Sequence, residues 1–166
     1  MLAGLVLVLL LAGADGPATR PATQPATREA LSWGAAHEGV QSALHADKTQ
    51  FARDERVGFL VSVRNVGKRD LFVARSQETC QIEVDGKWYQ FFGDVDVKSS
   101  PLPPGREYHD IRVWLDADWA PLGDPVKFKL TAGKHKLRVA VIAQNEQAFE
   151  PAARAVSGAV EFEVGE

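Results

Sequence analysis

Cys80-Gln81-Ile82-Glu83-Val84-Asp85-Gly86-Lys87-Trp88-Tyr89-Gln90-Phe91-Phe92 reads as two short strands folded back on a two-residue turn. Asp-Gly suits the centre of a type I′ turn, because both central residues need a positive φ. Folding the chain there pairs Val84 with Lys87, Glu83 with Trp88, Ile82 with Tyr89 and Cys80 with Phe91. Side chains alternate between the faces of a strand. One face then carries Cys80, Ile82, Val84, Tyr89 and Phe91, and is the core face. The other carries Gln81, Glu83, Trp88, Gln90 and Phe92.

The same period of two recurs on both sides of this hairpin. Val57, Phe59, Val61 and Val63 alternate with other residues, as do Ile111, Val113 and Leu115. Val126, Phe128 and Leu130 do so too, then Leu137, Val139 and Val141, and finally Val160, Phe162 and Val164. Such alternation marks strands with one buried face. Turn signals separate them: Asn65-Val66-Gly67, Pro103-Pro104-Gly105, Gly123-Asp124-Pro125 and Ala132-Gly133. A second hairpin is expected between residues 126–130 and 136–143. Helix signals are poor: residues 28–37 hold at most a turn or two, and 144–155 form a long irregular connection with a short helical turn. The expectation is an all-β, antiparallel two-sheet sandwich of about eight or nine strands over residues 31–166. Cys80 is the one cysteine, so no intrachain disulfide staples it.

The first thirty residues are of another kind. Leu2 to Ala12 are almost wholly apolar. A membrane-spanning helix needs about 20 such residues, but the run suits the apolar region of a secretory signal. Ala12-Gly13-Ala14 supplies a small-x-small cleavage pattern, which makes 1–14 a signal peptide. Residues 15–30 are a linker: Pro-Ala-Thr-x occurs three times from Pro17. Proline at every fourth position blocks helix and ladder and favours extended chain. The domain is expected to be exported, to the periplasm or cell surface, meeting the membrane only if the leader stays uncleaved.

Charge narrows the partners. A net charge of -3 is unlike the basic balance of a nucleic-acid binder. A protein or a cell-surface glycan is the expected partner, with no nucleic acid.

Ser62-Val63-Arg64-Asn65-Val66-Gly67-Lys68-Arg69-Asp70-Leu71 is similar to the strand–N-x-G–strand motif of exported bacterial immunoglobulin-like modules. Leu102-Pro103-Pro104-Gly105 is similar to their L-x-P-G turn. Leu130 to Ala140 resembles their penultimate hairpin, and Val156 to Val164 their closing strand. A more distant resemblance is to BsuPI-type proteinase-inhibitor domains. The first resemblance implies an immunoglobulin-like sandwich acting as a binding or scaffolding module. The second implies protease inhibition through a loop such as 93–106. One fold hosts many functions, so the residues themselves must carry the argument.

Candidate chemistry is sparse. His37, His45, His109 and His135 have no His or Cys partner at metal-binding spacing. His135 shares the parity of Leu137 and Val139 and reads as a cap on the core. Asp94, Asp96, Asp116, Asp118 and Asp124 lack the glycine and terminal glutamate of a calcium loop. Ser76, Ser99, Ser100 and Ser157 have no nucleophile-elbow setting. Cys80, on the core parity, reads as a small hydrophobe. Lys127, Lys129, Lys136 and Arg138 share an outward parity, which Glu161 and Glu163 would offset if the last strand lay alongside. No cofactor and no catalysis are expected. The sharpest signal is aromatic: Trp88, Phe92, Trp114 and Trp119 fall off the core parity or in loops. They are the candidate ligand-binding residues, either as a platform for a sugar or as a small satellite core under the connections 93–110 and 116–125. Trp33 is expected to pin the N-terminal segment to the sandwich.

Overall fold

The computed structural model describes residues 31–92, 98–124, 126–145 and 151–166. The expected leader and linker lie outside the described residues. So do Asp94 and Asp96.

Among the described residues there are thirteen strands: β1 (Ser32–Trp33), β2 (Val40–His45), β3 (Gln50–Phe51), β4 (Gly58–Asn65), β5 (Leu71–Ala74), β6 (Cys80–Val84), β7 (Lys87–Phe91), β8 (Ser99–Leu102), β9 (Glu107–Trp114), β10 (Trp119–Pro121), β11 (Gly133–Gln144), β12 (Pro151–Val156) and β13 (Val160–Val164). One 3-10 turn, Gln77–Thr79, is the only helical element among the described residues. The excess over the expected number comes from fragments: β1 and β3 have two residues each and β10 has three. Alternation cannot show itself in so few positions.

The strands form two sheets. The smaller runs β1-β2-β4-β9. The larger has nine strands, with β10-β7-β6-β11-β13-β3 as its main path. Every ladder is antiparallel except β13 with β3, which run parallel, so the sheet is mixed rather than wholly antiparallel. The inward faces meet in one core containing Val40, Phe59, Val61, Ile82, Ile111, Leu137 and Val139. Phe51, Phe59 and Phe162 contact edge to face within it, 5.2–6.1 Å between ring centroids. The chain is an all-β two-sheet sandwich.

The β6–β7 hairpin has the expected register, with Val84, Glu83 and Ile82 opposite Lys87, Trp88 and Tyr89. Asp85 and Gly86 take the positive φ that their turn requires, 52° and 85°. The second expected hairpin does not form. Strand β11 pairs instead with β6 and β5 on one side and with β13 and β12 on the other. Residues 126–130 are an irregular strap. Phe128 donates its N–H to the Trp119 carbonyl at 2.6 Å and sets its ring 4.8 Å from Tyr89. Phe128 and Leu130 pack on the core rim without a ladder, while Val126 is exposed. Two further expectations are corrected: Ser32–Trp33 is strand rather than helical turn, and β12 occupies part of the supposed irregular connection.

The N-x-G and P-P-G motifs meet each other. Asn65 is 1% exposed, and its Nδ2 donates to the carbonyls of Arg69 and Leu102 at 2.8 and 2.7 Å. Its Oδ1 accepts the Gly67 N–H at 2.9 Å, and its backbone carbonyl accepts from Gly105. One side chain thus anchors two turns. Gly67 and Gly39 cross here so closely that a Cβ on Gly39 would lie 2.8 Å from the Gly67 Cα.

Candidate binding site

The four aromatic candidates do not converge. Trp88, opposite Glu83, points out of the larger sheet. Trp114, opposite Gly58, points out of the smaller sheet on the other side of the sandwich. Phe92 lies just beyond β7 and is exposed. Trp119 is 0% exposed and cannot serve a surface site. It sits in β10 opposite Phe91, and its Nε1 donates to the Trp114 carbonyl at 2.7 Å. A three-residue strand between turns looks like a loop in the sequence, which is why Trp119 was expected outside.

Each outward tryptophan is overlaid by arginine. The Arg154 guanidinium lies 4.0 Å from the Trp88 ring centroid and that of Arg138 5.8 Å. Arg56 and Arg112 flank Trp114 at 4.1 and 5.2 Å, and Arg64 covers Trp33 at 4.0 Å. A guanidinium over an indole is attracted by the ring's negative face. Trp114 can lie flat because its partner is glycine: a Cβ on Gly58 would fall 2.4 Å from its ring. The bare aromatic platform is therefore replaced by tryptophan–arginine stacks.

The Trp88 stack is the most developed. Arg154 projects from β12, which pairs with β11. Arg154 lies opposite Ile142 on β11 and reaches across that strand towards Gln81 of β6, whose own partner on β11 is the small, buried Ala140. Arg154 Nε donates to Gln81 Oε1 at 2.7 Å, and Arg138 pairs with nearly buried Glu83. Partial burial lowers the Arg154 pKa; Glu83 raises it and Arg138 lowers it further. Both arginines line a cleft of about 530 Å³ whose other walls include Gly34, Ala35, His37 and Ser157.

The cleft lies where the two sheets close on each other. Gly34 packs on β12 so tightly that a Cβ would fall 1.8 Å from the Val156 carbonyl oxygen. Ser42 Oγ donates to the Ala155 carbonyl at 2.9 Å, tying the sheets together. Ser157 replaces a ladder partner between β12 and β13: its N–H donates to the Val139 carbonyl, and its Oγ accepts the Val139 N–H at 3.0 Å. Its hydroxyl is structural.

The histidines are engaged elsewhere. His135 Nδ1 meets Asp85 Oδ2 at 2.8 Å and its Nε2 meets the Thr131 carbonyl at 3.0 Å, so neither nitrogen is left for a metal or substrate. The ring lies 5.4 Å from Phe162, capping the core as its parity implied. Partial burial raises the Asp85 carboxyl pKa, but His135 and the Lys136 N–H outweigh it and hold it below the usual carboxylate value. Ser62, His109 and Glu107 form a line that sequence reading missed, because a bulge in the β4–β9 ladder creates it. Ser62 is 3% exposed, so this line is a polar brace rather than an accessible nucleophile.

Among the described residues, no group of three or more His, Cys, Asp or Glu side chains is placed to hold a metal ion. Asp116 and Asp118 pair with Arg56 and Lys127, and Asp124 Oδ1 accepts the Val126 N–H. Lys134 and Lys136 lie opposite Glu163 and Glu161, which offsets part of the basic stripe. Residues 93–97 of the expected inhibitory loop lie outside the described residues, and Ser99–Leu102 is strand paired with β5.

Cys80 is 2% exposed, and burial, aided by Glu78, pushes its thiol up to about 12. The thiolate is the reactive form. A chromogenic disulfide reagent at pH 8 is expected to leave the native thiol unmodified over an hour and to titrate one thiol in denaturant. Prompt reaction of the folded protein would mean that the β6 face opens in solution.

No protein-family model matches the chain, and no curated protein matches it. Among solved structures, one similar chain is AvmM, described as catalysing macrocyclization in alchivemycin A biosynthesis. It is 11% identical, with a TM-score of 0.38, and the match covers 78% of this chain and 90% of that one. No helix among the described residues is long and apolar enough to cross a membrane.

Proposed function

We propose that the protein is an exported, non-catalytic binding module whose ligand surface is the outer face of the larger sheet around Trp88. The carrying observation is the Trp88 ring held beneath Arg154 and Arg138, two arginines that line a cleft of about 530 Å³. Small-ligand sites fall in this size range and use few, well-placed polar groups. The apolar run at Leu2–Ala12 and the Pro-Ala-Thr repeat support export on a tether. The engaged His135 nitrogens and the buried Ser62 support a non-catalytic role.

Trp88 reports on its own surface. Full-length protein titrated with a panel of cell-wall glycans is expected to shift its emission and to lose part of its acrylamide quenching. Trp88→Phe should abolish the response and Trp114→Phe should leave it. If every glycan leaves both signals unchanged, the sheet face is not a glycan-binding surface and the reading fails.

A further inference from the structure

We infer that the cleft takes a carboxylated sugar unit, a uronic acid within a glycan, with the carboxylate on Arg154 and Arg138; this rests on the binding-module reading above. The first argument is charge. Arg138 is already matched by Glu83, so the Arg138–Arg154–Glu83 group carries one net positive charge. That suits a monoanion better than a doubly charged phosphate ester.

The second argument is preorganisation. Arg154 is clamped from two sides, by Gln81 at its Nε and by the Trp88 ring beneath its guanidinium. A long side chain usually loses rotamer freedom on binding; here the folded protein has already fixed it. Trp88 is thus a positioning residue, and the group offered to ligand is a planar guanidinium, whose fork geometry matches a carboxylate.

The third argument is the wall. Gly34, Ala35, Ala36 and Ser157 are small, Val156 is the only larger apolar side chain among the lining residues, and His37 is exposed. Such a lining gives no deep apolar anchor for a peptide side chain but leaves room for a hydroxylated ring. The tie between Ser42 and Ala155 holds the two sides in register.

The test uses trigalacturonate, its methyl ester and inorganic phosphate as probes, with calorimetry and Trp88 emission as readouts. Trigalacturonate is expected to bind, to weaken several-fold as sodium chloride rises from about 50 to about 500 mM, and to lose about tenfold or more in Arg154→Ala. Arg154→Lys, which keeps the charge and loses the fork, should fall between. Arg112→Ala, on the opposite face, should bind as wild type. Circular dichroism checks that each variant folds. Equal binding of the methyl ester, insensitive to Arg154→Ala, would overturn this inference and leave the binding module standing. Arg154-dependent binding of phosphate in preference to trigalacturonate would overturn the carboxylate assignment. Silence from all three probes would overturn the inference, while the glycan panel separately judges the wider reading.

Discussion

Trp119→Ala is expected to cost about 3–5 kcal/mol, the usual range for removing a buried aromatic ring. Trp119 is fully buried, meets Phe91 edge to face at 6.0 Å and donates to the Trp114 carbonyl. Truncation leaves a cavity and takes away the shorter of two bonds to the Trp114 carbonyl, whose other donor is the Ala117 N–H at 3.4 Å. Domains of this size have total stabilities of about 5–15 kcal/mol, so the loss is a large fraction of the whole. Urea unfolding followed by far-ultraviolet circular dichroism measures it. Trp88→Ala, on the sheet surface, should cost about 1 kcal/mol or less, the scale of a surface cation–π contact. A reversed order, with Trp88 the costlier, would show that the burial pattern of these two rings is wrong.

The second large effect belongs to Asn65. Asn65→Ala removes the donor that serves the Arg69 and Leu102 carbonyls and the acceptor of the Gly67 N–H. Orphaning a buried polar group costs about 1–3 kcal/mol. The Leu102 carbonyl is left buried and unmatched by the amide while that of exposed Arg69 can reach water, so the expected loss is about 1–3 kcal/mol. Asn65→Asp is the sharper test. A carboxylate would face two carbonyl oxygens where the amide donated to both. At neutral pH it should destabilise at least as much as alanine, and part of the loss should return as acid protonates it. If Asn65→Asp is neutral at pH 7, the amide is not the clasp described above.

These two residues also show what the sequence made legible. Asn65-Val66-Gly67 announces a turn, and the turn is there; that its amide reaches the Leu102-Pro103-Pro104-Gly105 turn is a long-range fact that local pattern does not encode. The Asp85-Gly86 hairpin was readable in register from Val84–Lys87 to Ile82–Tyr89, because a two-residue turn fixes register, though the expected Cys80–Phe91 pair is not part of the ladder. Trp119 was not, since β10 is too short to show a period. Residues 126–130 misled for the opposite reason: Phe128 and Leu130 face the core without a ladder behind them. At the candidate site, the outward setting of Trp88 followed from parity. Its cover did not, because Arg154 lies 66 positions away and reaches across the intervening strand β11 to Gln81 of β6.

The placement of β11 bears on how the protein comes into being. This strand is the seam on which β5, β6, β12 and β13 all pair, yet it begins only at Gly133. Until it emerges from the ribosome, the β6–β7 hairpin has no inner neighbour and β5 has only β8. An isolated hairpin is marginal in water, and topologies built on distant pairings fold slowly. Most of the polypeptide must therefore be made before the pieces β10-β7-β6 and β5-β8 can be joined into the larger sheet. A chain cut short before Gly133 would therefore keep the smaller sheet whole and leave the larger one in two unjoined pieces.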